Sequence, residues 1–219
     1  MRQDFMDVSI LLDGSGSMQP LLYDTIGGFN RFLEDQKKLP VRVAFTLVVF
    51  NHQYTPVCRG VPVADAAPLT DQNYCPGGTT ALLDAVGRLI DETGERLKSM
   101  PENERPGKVL FVIITDGQEN TSGKFTRQDI FDRINRQQDV YKWDFVFMGA
   151  NQDSFAEAGA IGLRAGNVIN CSATANGVRN QYGLLAAQTY PYAISSPRPA
   201  GFFGGQTHAD EIDKKKAQA

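Results

Sequence analysis

Four runs of branched and aromatic residues set the limits on this fold. Met6–Leu12, Val41–Phe50, Val109–Ile114 and Trp143–Met148 are almost continuously apolar and of strand length. Val109–Ile114 has no polar residue and the other runs have one or two each, so they read as buried strands with both faces covered. The intervening segments supply the cover. Met18–Gln36 carries Leu22, Ile26, Phe29, Phe32 and Leu33 at helical spacing, with Pro20 in its first turn and Pro40 beyond its end. Thr80–Met100 repeats the pattern through Leu83, Val86, Ile90 and Leu97, and Thr126–Gln138 through Ile130, Phe131 and Ile134. Tyr54–Arg59 reads as an antiparallel partner of Val41–Phe50 across the Asn51-His52-Gln53 turn. Residues 60–79 read mostly as loop, and Pro101–Gly107 as a polar break. A short helix (Ser154–Gly159), a short strand (Asn167–Asn170) and a last helix (Thr174–Thr189) follow.

This alternation predicts an α/β, Rossmann-like fold: a mostly parallel central sheet, one antiparallel edge strand and helices on both faces. Residues 1–190 read as a single domain. Residues 191–219 turn to Pro, Gly, Ser and charge, and read as a partly disordered tail.

Composition excludes several classes of function. The net charge is −3 and the only dense basic run is Lys214–Lys216, which argues against nucleic-acid binding. No stretch approaches the roughly 20 apolar residues that cross a bilayer, so no membrane role is expected. The acidic N-terminal segment lacks an apolar signal core, and the expected location is cytoplasmic. Cys58, Cys75 and Cys171 fit no zinc spacing and read as free thiols. His52 and His208 are the only histidines, too few for most zinc hydrolases or His-based triads.

In open α/β sheets, ligands bind outside the C-terminal ends of the strands. The residues there are oxygen donors and glycines. The first strand leads into Asp13-Gly14-Ser15-Gly16-Ser17, and the third core strand into Thr115-Asp116-Gly117-Gln118-Glu119-Asn120. Gly77-Gly78-Thr79-Thr80 precedes the second long helix, and Asn151-Gln152-Asp153 follows the fourth strand. Carboxylates and hydroxyls suit Mg²⁺, Mn²⁺ or Ca²⁺ and not Zn²⁺ or copper. Carboxylates from two strands, diluted by neutral hydroxyls, would leave a bound dication electropositive and in need of an outside anionic oxygen. Gly14 and Gly16 let the first loop fold tightly enough for the Ser15 and Ser17 hydroxyls to converge. Each motif alone has an ordinary explanation: a flexible turn, a strand-end turn, a helix cap.

Together the motifs resemble those of the von Willebrand factor type A family. Asp13-Gly-Ser15-Gly-Ser17 is similar to its Asp-x-Ser-x-Ser motif, Gly77-Gly78-Thr79-Thr80-Ala-Leu-Leu-Asp to its threonine motif, and Ile114-Thr115-Asp116-Gly117 to its third motif. They occur in the family's order, 67 residues separating Asp13 from Thr80 and 36 separating Thr80 from Asp116, and the likeness spans roughly residues 5–190. Thr25-Ile-Gly-Gly-Phe-Asn30 and Gly149–Asp153 have the character of compact, single-domain bacterial or phage members. The resemblance implies a metal-ion-dependent adhesion site. Ser15, Ser17 and Thr80 would bind Mg²⁺ (Mn²⁺ or Ca²⁺ as alternatives) through hydroxyls, and Asp13 and Asp116 directly or through water. Thr80 is preferred to its neighbour Thr79 because relatives commonly read Gly-x-Thr-Ala-Leu. Gly14, Gly16, Gly78, Thr79 and Gly117 would support the site. Asn151 and Asp153 would lie behind it, Asp153 alternatively capping the next helix.

The expected function is that of a metal-dependent interaction module gripping an Asp or Glu carboxylate of a protein partner. Oligomeric state is left open. One alternative is an assembly or structural protein with an incidental metal site and a docking tail. Another is a Mg²⁺-dependent phosphohydrolase or a serine hydrolase. Against it stand Ser15, where a phosphate-transferring site usually carries a second Asp, and the lack of a Gly-x-Ser-x-Gly elbow or a Walker loop. No catalysis is expected.

Overall fold

In the computed structural model, which describes residues 1–117, 119–150, 154–196 and 201–203, the apolar runs form one six-stranded sheet. The strands are β1 (Arg2–Asp13), β2 (Arg42–Phe50), β3 (Tyr54–Pro62), β4 (Pro106–Thr115), β5 (Asp144–Ala150) and β6 (Val168–Cys171). Their order is β3-β2-β1-β4-β5-β6, and only the β2–β3 edge pair is antiparallel. The helices are α1 (Leu22–Gln36), α2 (Leu82–Lys98), α3 (Arg127–Asp139), α4 (Ser154–Ala160) and α5 (Ala175–Ile194).

The period-two alternation of β1 divides the core. Met6, Val8, Ile10 and Leu12 pack with Phe29, Phe32 and Leu33 of α1 and Val178, Tyr182 and Leu185 of α5. Leu11 faces the other way, among Leu82, Val86, Leu89 and Ile90 of α2 and Ile130 and Ile134 of α3. That second face also buries charge. Asp7 has no exposed side-chain surface and is held by Arg96 of α2 through two bonds of 2.8 and 3.0 Å. A buried carboxylate of this kind persists only when paired.

Several boundaries differ from the sequence expectation. The turn after the first loop is a 3-10 segment (Gly16–Leu21) containing Pro20, and the α-helix starts only at Leu22. β4 begins at Pro106, inside the expected polar break, where Pro106 pairs with Arg2 of β1 and the Arg2 N–H donates to the Arg105 carbonyl at 2.7 Å. The last helix continues past Thr189 to Ile194, although Pro191 lies within it. Its end is fixed by Lys108 of β4, whose buried Nζ donates to the carbonyls of Tyr192, Ala193 and Ser195, each at 2.7 Å. Terminal helix carbonyls lack intrahelical partners, and a cation meets that need. Phe202 and Phe203 return to the core: both are buried, and the Phe202 N–H donates to Asn167 Oδ1 at 2.8 Å. Residues 204–219 lie outside the described residues. No disulfide joins Cys58, Cys75 and Cys171. No helix among the described residues is long and apolar enough to cross a membrane.

Candidate metal centre

The chain leaves β1 on one side towards β2 and returns on the other in β4, so loops diverge at the C-terminal ends of β1 and β4. That divergence opens a crevice, the usual ligand position in a doubly wound sheet. Asp13 ends β1, and Asp116 follows β4 immediately.

Two glycine loops build the walls. The Gly16 N–H donates to the Gly78 carbonyl at 3.0 Å and the Gly77 N–H to the Gly14 carbonyl at 2.8 Å, lacing the Asp13 loop to the threonine loop. Gly14 permits the approach to β2: a Cβ there would lie 2.7 Å from Val49 Cγ1. Gly78 has φ +76°, and the His52 ring occupies the space a side chain would need.

The oxygen donors then converge. Asp13 is fully buried; its Oδ1 accepts from the Ser15 N–H at 2.7 Å and its Oδ2 from the Thr115 hydroxyl at 2.6 Å. The Ser15 and Ser17 hydroxyls are 3.0 Å apart, and Ser17 donates to Asp116 Oδ1 at 2.6 Å. Thr80 is 3% exposed whereas Thr79 faces solvent, which places Thr80 in the cluster. A Cβ on Gly117 would lie 3.1 Å from Thr80 Oγ1, 3.5 Å from Asp13 Oδ2 and 3.6 Å from Ser17 Oγ, so these oxygens surround one small space beside Gly117. Asn151 and Asp153 lie outside the described residues.

Burial pushes the Asp13 carboxyl above its ordinary range, against the lowering bonds from Thr115 and Ser15; Asp116 nearby pushes the same way. Burial also raises Asp116, against the Ser17 bond. Among the described residues neither carboxylate has a Lys or Arg ion pair. One buried and one partly buried carboxyl group, with hydroxyls between them, form a site that a small hard cation would relieve. No group of three or more His, Cys, Asp or Glu suited to a metal occurs among the described residues, so a cation here would rely on hydroxyls for much of its shell.

No family model matches the chain, and neither does any curated protein. Solved structures do match. Proximal thread matrix protein 1 from the mussel byssus is 14% identical, with a TM-score of 0.59 over 83% of this chain and 47% of its own. A von Willebrand factor type A protein from Catenulispora acidiphila is 16% identical, with a TM-score of 0.56 over 84% and 42%. The fold is that of a von Willebrand factor type A domain. The ArnB paralog VWA2 from Sulfolobus acidocaldarius shares it, at 14% identity and a TM-score of 0.56 over 84% and 45%. This chain spans less than half the length of each of these proteins.

Within this type A fold, further residues shape the crevice without being expected ligands. Thr115 orients Asp13. Tyr74 is fully buried and its hydroxyl donates to the Asp13 carbonyl at 2.8 Å; an aromatic in a Pro- and Asp-rich loop was the one sequence signal for it. Asn51 donates to the Gly77 carbonyl at 2.7 Å and accepts the Ala81 N–H at 3.0 Å through its own carbonyl. Asn120 binds Thr80 twice, its Oδ1 accepting the Thr80 N–H at 2.9 Å and its N–H donating to the Thr80 carbonyl at 3.1 Å. Asn51 sits in the expected turn and Asn120 in the strand-end stretch, but nothing local in the sequence names their partners.

Proposed function

We propose that this chain is a protein-interaction module whose crevice holds a divalent cation, Mg²⁺ in the first instance, and uses it to bind a carboxylate of a partner protein. Mn²⁺ and Ca²⁺ are the other hard cations the donor set suits. The observation that carries the reading is the convergence of Asp13, Ser17 and Thr80 oxygens on the space beside Gly117, with Asp116 bonded to Ser17. Asp13, Ser15, Ser17, Thr80 and Asp116 would hold the ion. When bound, it would supply a Lewis-acidic centre able to accept an external anionic oxygen. The chain's own contribution is rigidity: Asp13 and Ser15 are buried, Ser17 is exposed, and the ligand set therefore opens to solvent on one side.

Relatives of this fold support the reading by architecture alone. In this reading the site binds and does not turn over substrate. Titration calorimetry with Mg²⁺ and Mn²⁺ tests it, followed by capture of partners from native lysate in Mg²⁺ and in EDTA. The expected result is saturable cation binding, lost in Asp13→Ala, and a partner retained only with Mg²⁺. Lack of cation binding, or binding that Asp13→Ala leaves intact, would sink the reading. The tail-docking alternative is separated by truncation after Phe203. A cut at Tyr190 would remove Tyr192, Phe202 and Phe203 from the core and confuse folding with recognition.

A further inference from the structure

Helix α2 begins without a cap of its own. The residue at its N-cap is Ala81, which has no side chain able to accept a hydrogen bond. The first N–H groups of a helix need acceptors, and Ser, Thr, Asp or Asn normally provides one locally. Here they come from the loop after β4. Glu119 Oε2 accepts the Leu83 N–H at 2.9 Å and Ser122 Oγ accepts the Asp84 N–H at 3.1 Å. The exchange is mutual. Asp84 accepts the N–H groups of Gly123, Lys124 and Phe125 at 3.0, 2.9 and 2.9 Å. Glu119 also ties its own loop, accepting from the Thr121 and Ser122 N–H groups at 2.8 and 2.6 Å and from the Ser122 hydroxyl at 2.7 Å.

We infer that Glu119 is a positioning residue for the cation site: by capping α2 from across the crevice, it fixes the separation of Thr80 from Asp116. The inference rests on the metal-binding reading above. Thr80 precedes α2 by two residues and Asp116 precedes Glu119 by three, so the cap joins the two ligand-bearing segments next to the ligands themselves. The Asn120–Thr80 pair lies between the cap and the site and carries the constraint inward. Both Glu119 oxygens accept, each from two donors. Gln cannot replace it, because its NH₂ would face N–H donors on one side. Among the described residues, the hydrogen bonds of Glu119 go to Leu83, Thr121 and Ser122, none of them a proposed ligand.

A double-substitution cycle on the full chain tests this, with Mg²⁺ affinity measured by calorimetry for the unsubstituted chain, Glu119→Gln, Thr80→Ala and the double variant. Glu119→Gln should weaken Mg²⁺ binding roughly 10- to 100-fold, the range for residues that orient ligands from behind. In the Thr80→Ala background it should cost less than about twofold, since the group it positions is gone. A general loss of stability would weaken binding alike in both backgrounds. If Glu119→Gln does not fold, as judged by circular dichroism, Ser122→Ala replaces it in the same cycle and should show the same pattern on a smaller scale. Binding that Glu119→Gln leaves within twofold, or a loss that persists with Thr80→Ala, overturns this inference alone. Failure of the unsubstituted chain to bind Mg²⁺ overturns the metal reading and this inference with it.

Discussion

Gly117→Ala is a sharp perturbation of the site, because it adds one methyl where the donor oxygens meet. The backbone at Gly117 is not in the left-handed region, so alanine fits its conformation. The new Cβ would stand 3.1 Å from Thr80 Oγ1, closer than ordinary contact, and 3.5 and 3.6 Å from Asp13 Oδ2 and Ser17 Oγ, which is ordinary contact. Thr80 must then give way by a few tenths of an ångström. Metal–ligand distances tolerate about 0.2 Å, so the shift is damaging to coordination and mild for the fold. A 10- to 100-fold loss of Mg²⁺ affinity corresponds to about 1.4–2.8 kcal/mol. The assay is thermal unfolding with and without Mg²⁺ at a concentration near 100 times the dissociation constant of the unsubstituted chain. Linkage then stabilises that chain by about 2.7 kcal/mol, or roughly 5–11 °C for a domain of this size. A variant weakened 100-fold gains only about 0.4 kcal/mol, or roughly 1–2 °C. Two results would refute the reasoning. One is a Mg²⁺-induced shift in Gly117→Ala equal to that of the unsubstituted chain. The other is a metal-free variant already several degrees less stable, which would mean the glycine serves packing.

Other parts of the structure make independent predictions. Arg96→Ala strands the Asp7 carboxylate in the interior and should cost about 3–5 kcal/mol in urea unfolding; a loss under 1 kcal/mol contradicts the pairing described. Lys108→Met removes the donor to three carbonyls at the end of α5, and amide exchange should quicken in its last turn while α1 and α2 stay protected. Burial pushes the Asp84 carboxyl up, but the bonds from Gly123, Phe125 and Lys124 outweigh it and hold it below its usual value. A depressed carboxylate stabilises the fold above its unfolded value of about 4 and loses that contribution as pH falls through the folded value. Acid should therefore loosen residues 123–125, read by amide exchange, and Asp84→Asn should show the looser loop already at neutral pH.

The sheet was legible because its strands are dominated by branched and aromatic residues, and few other arrangements bury Met6–Leu12 or Val109–Ile114 so completely. The antiparallel edge followed from the short Asn51-His52-Gln53 turn. The motif residues stood out because Asp, Ser and Gly at strand ends have few structural uses in combination. Thr80 is buried with its hydroxyl near Gly117, and Thr79 is at the surface. What stayed hidden depends on contacts between distant segments. Glu119 is one more acid near a strand end until α2 is seen to lack a cap. Asn51 and Asn120 read as turn residues until their partners, Gly77 and Thr80, are in place. Phe202 and Phe203 lie among Gly and Pro, and only the Asn167 and Gly166 contacts explain their burial.

The order of the strands has one more consequence. Asp13 and Asp116 leave neighbouring strands separated by about a hundred residues of chain, and β1 lies between β2 and β4. Closing that loop is entropically among the most demanding steps of folding. A ligand that needs both carboxylates meets a chain that has already taken it. In the proposed reading, such a ligand binds only the closed arrangement, and its binding free energy adds to the stability of that state.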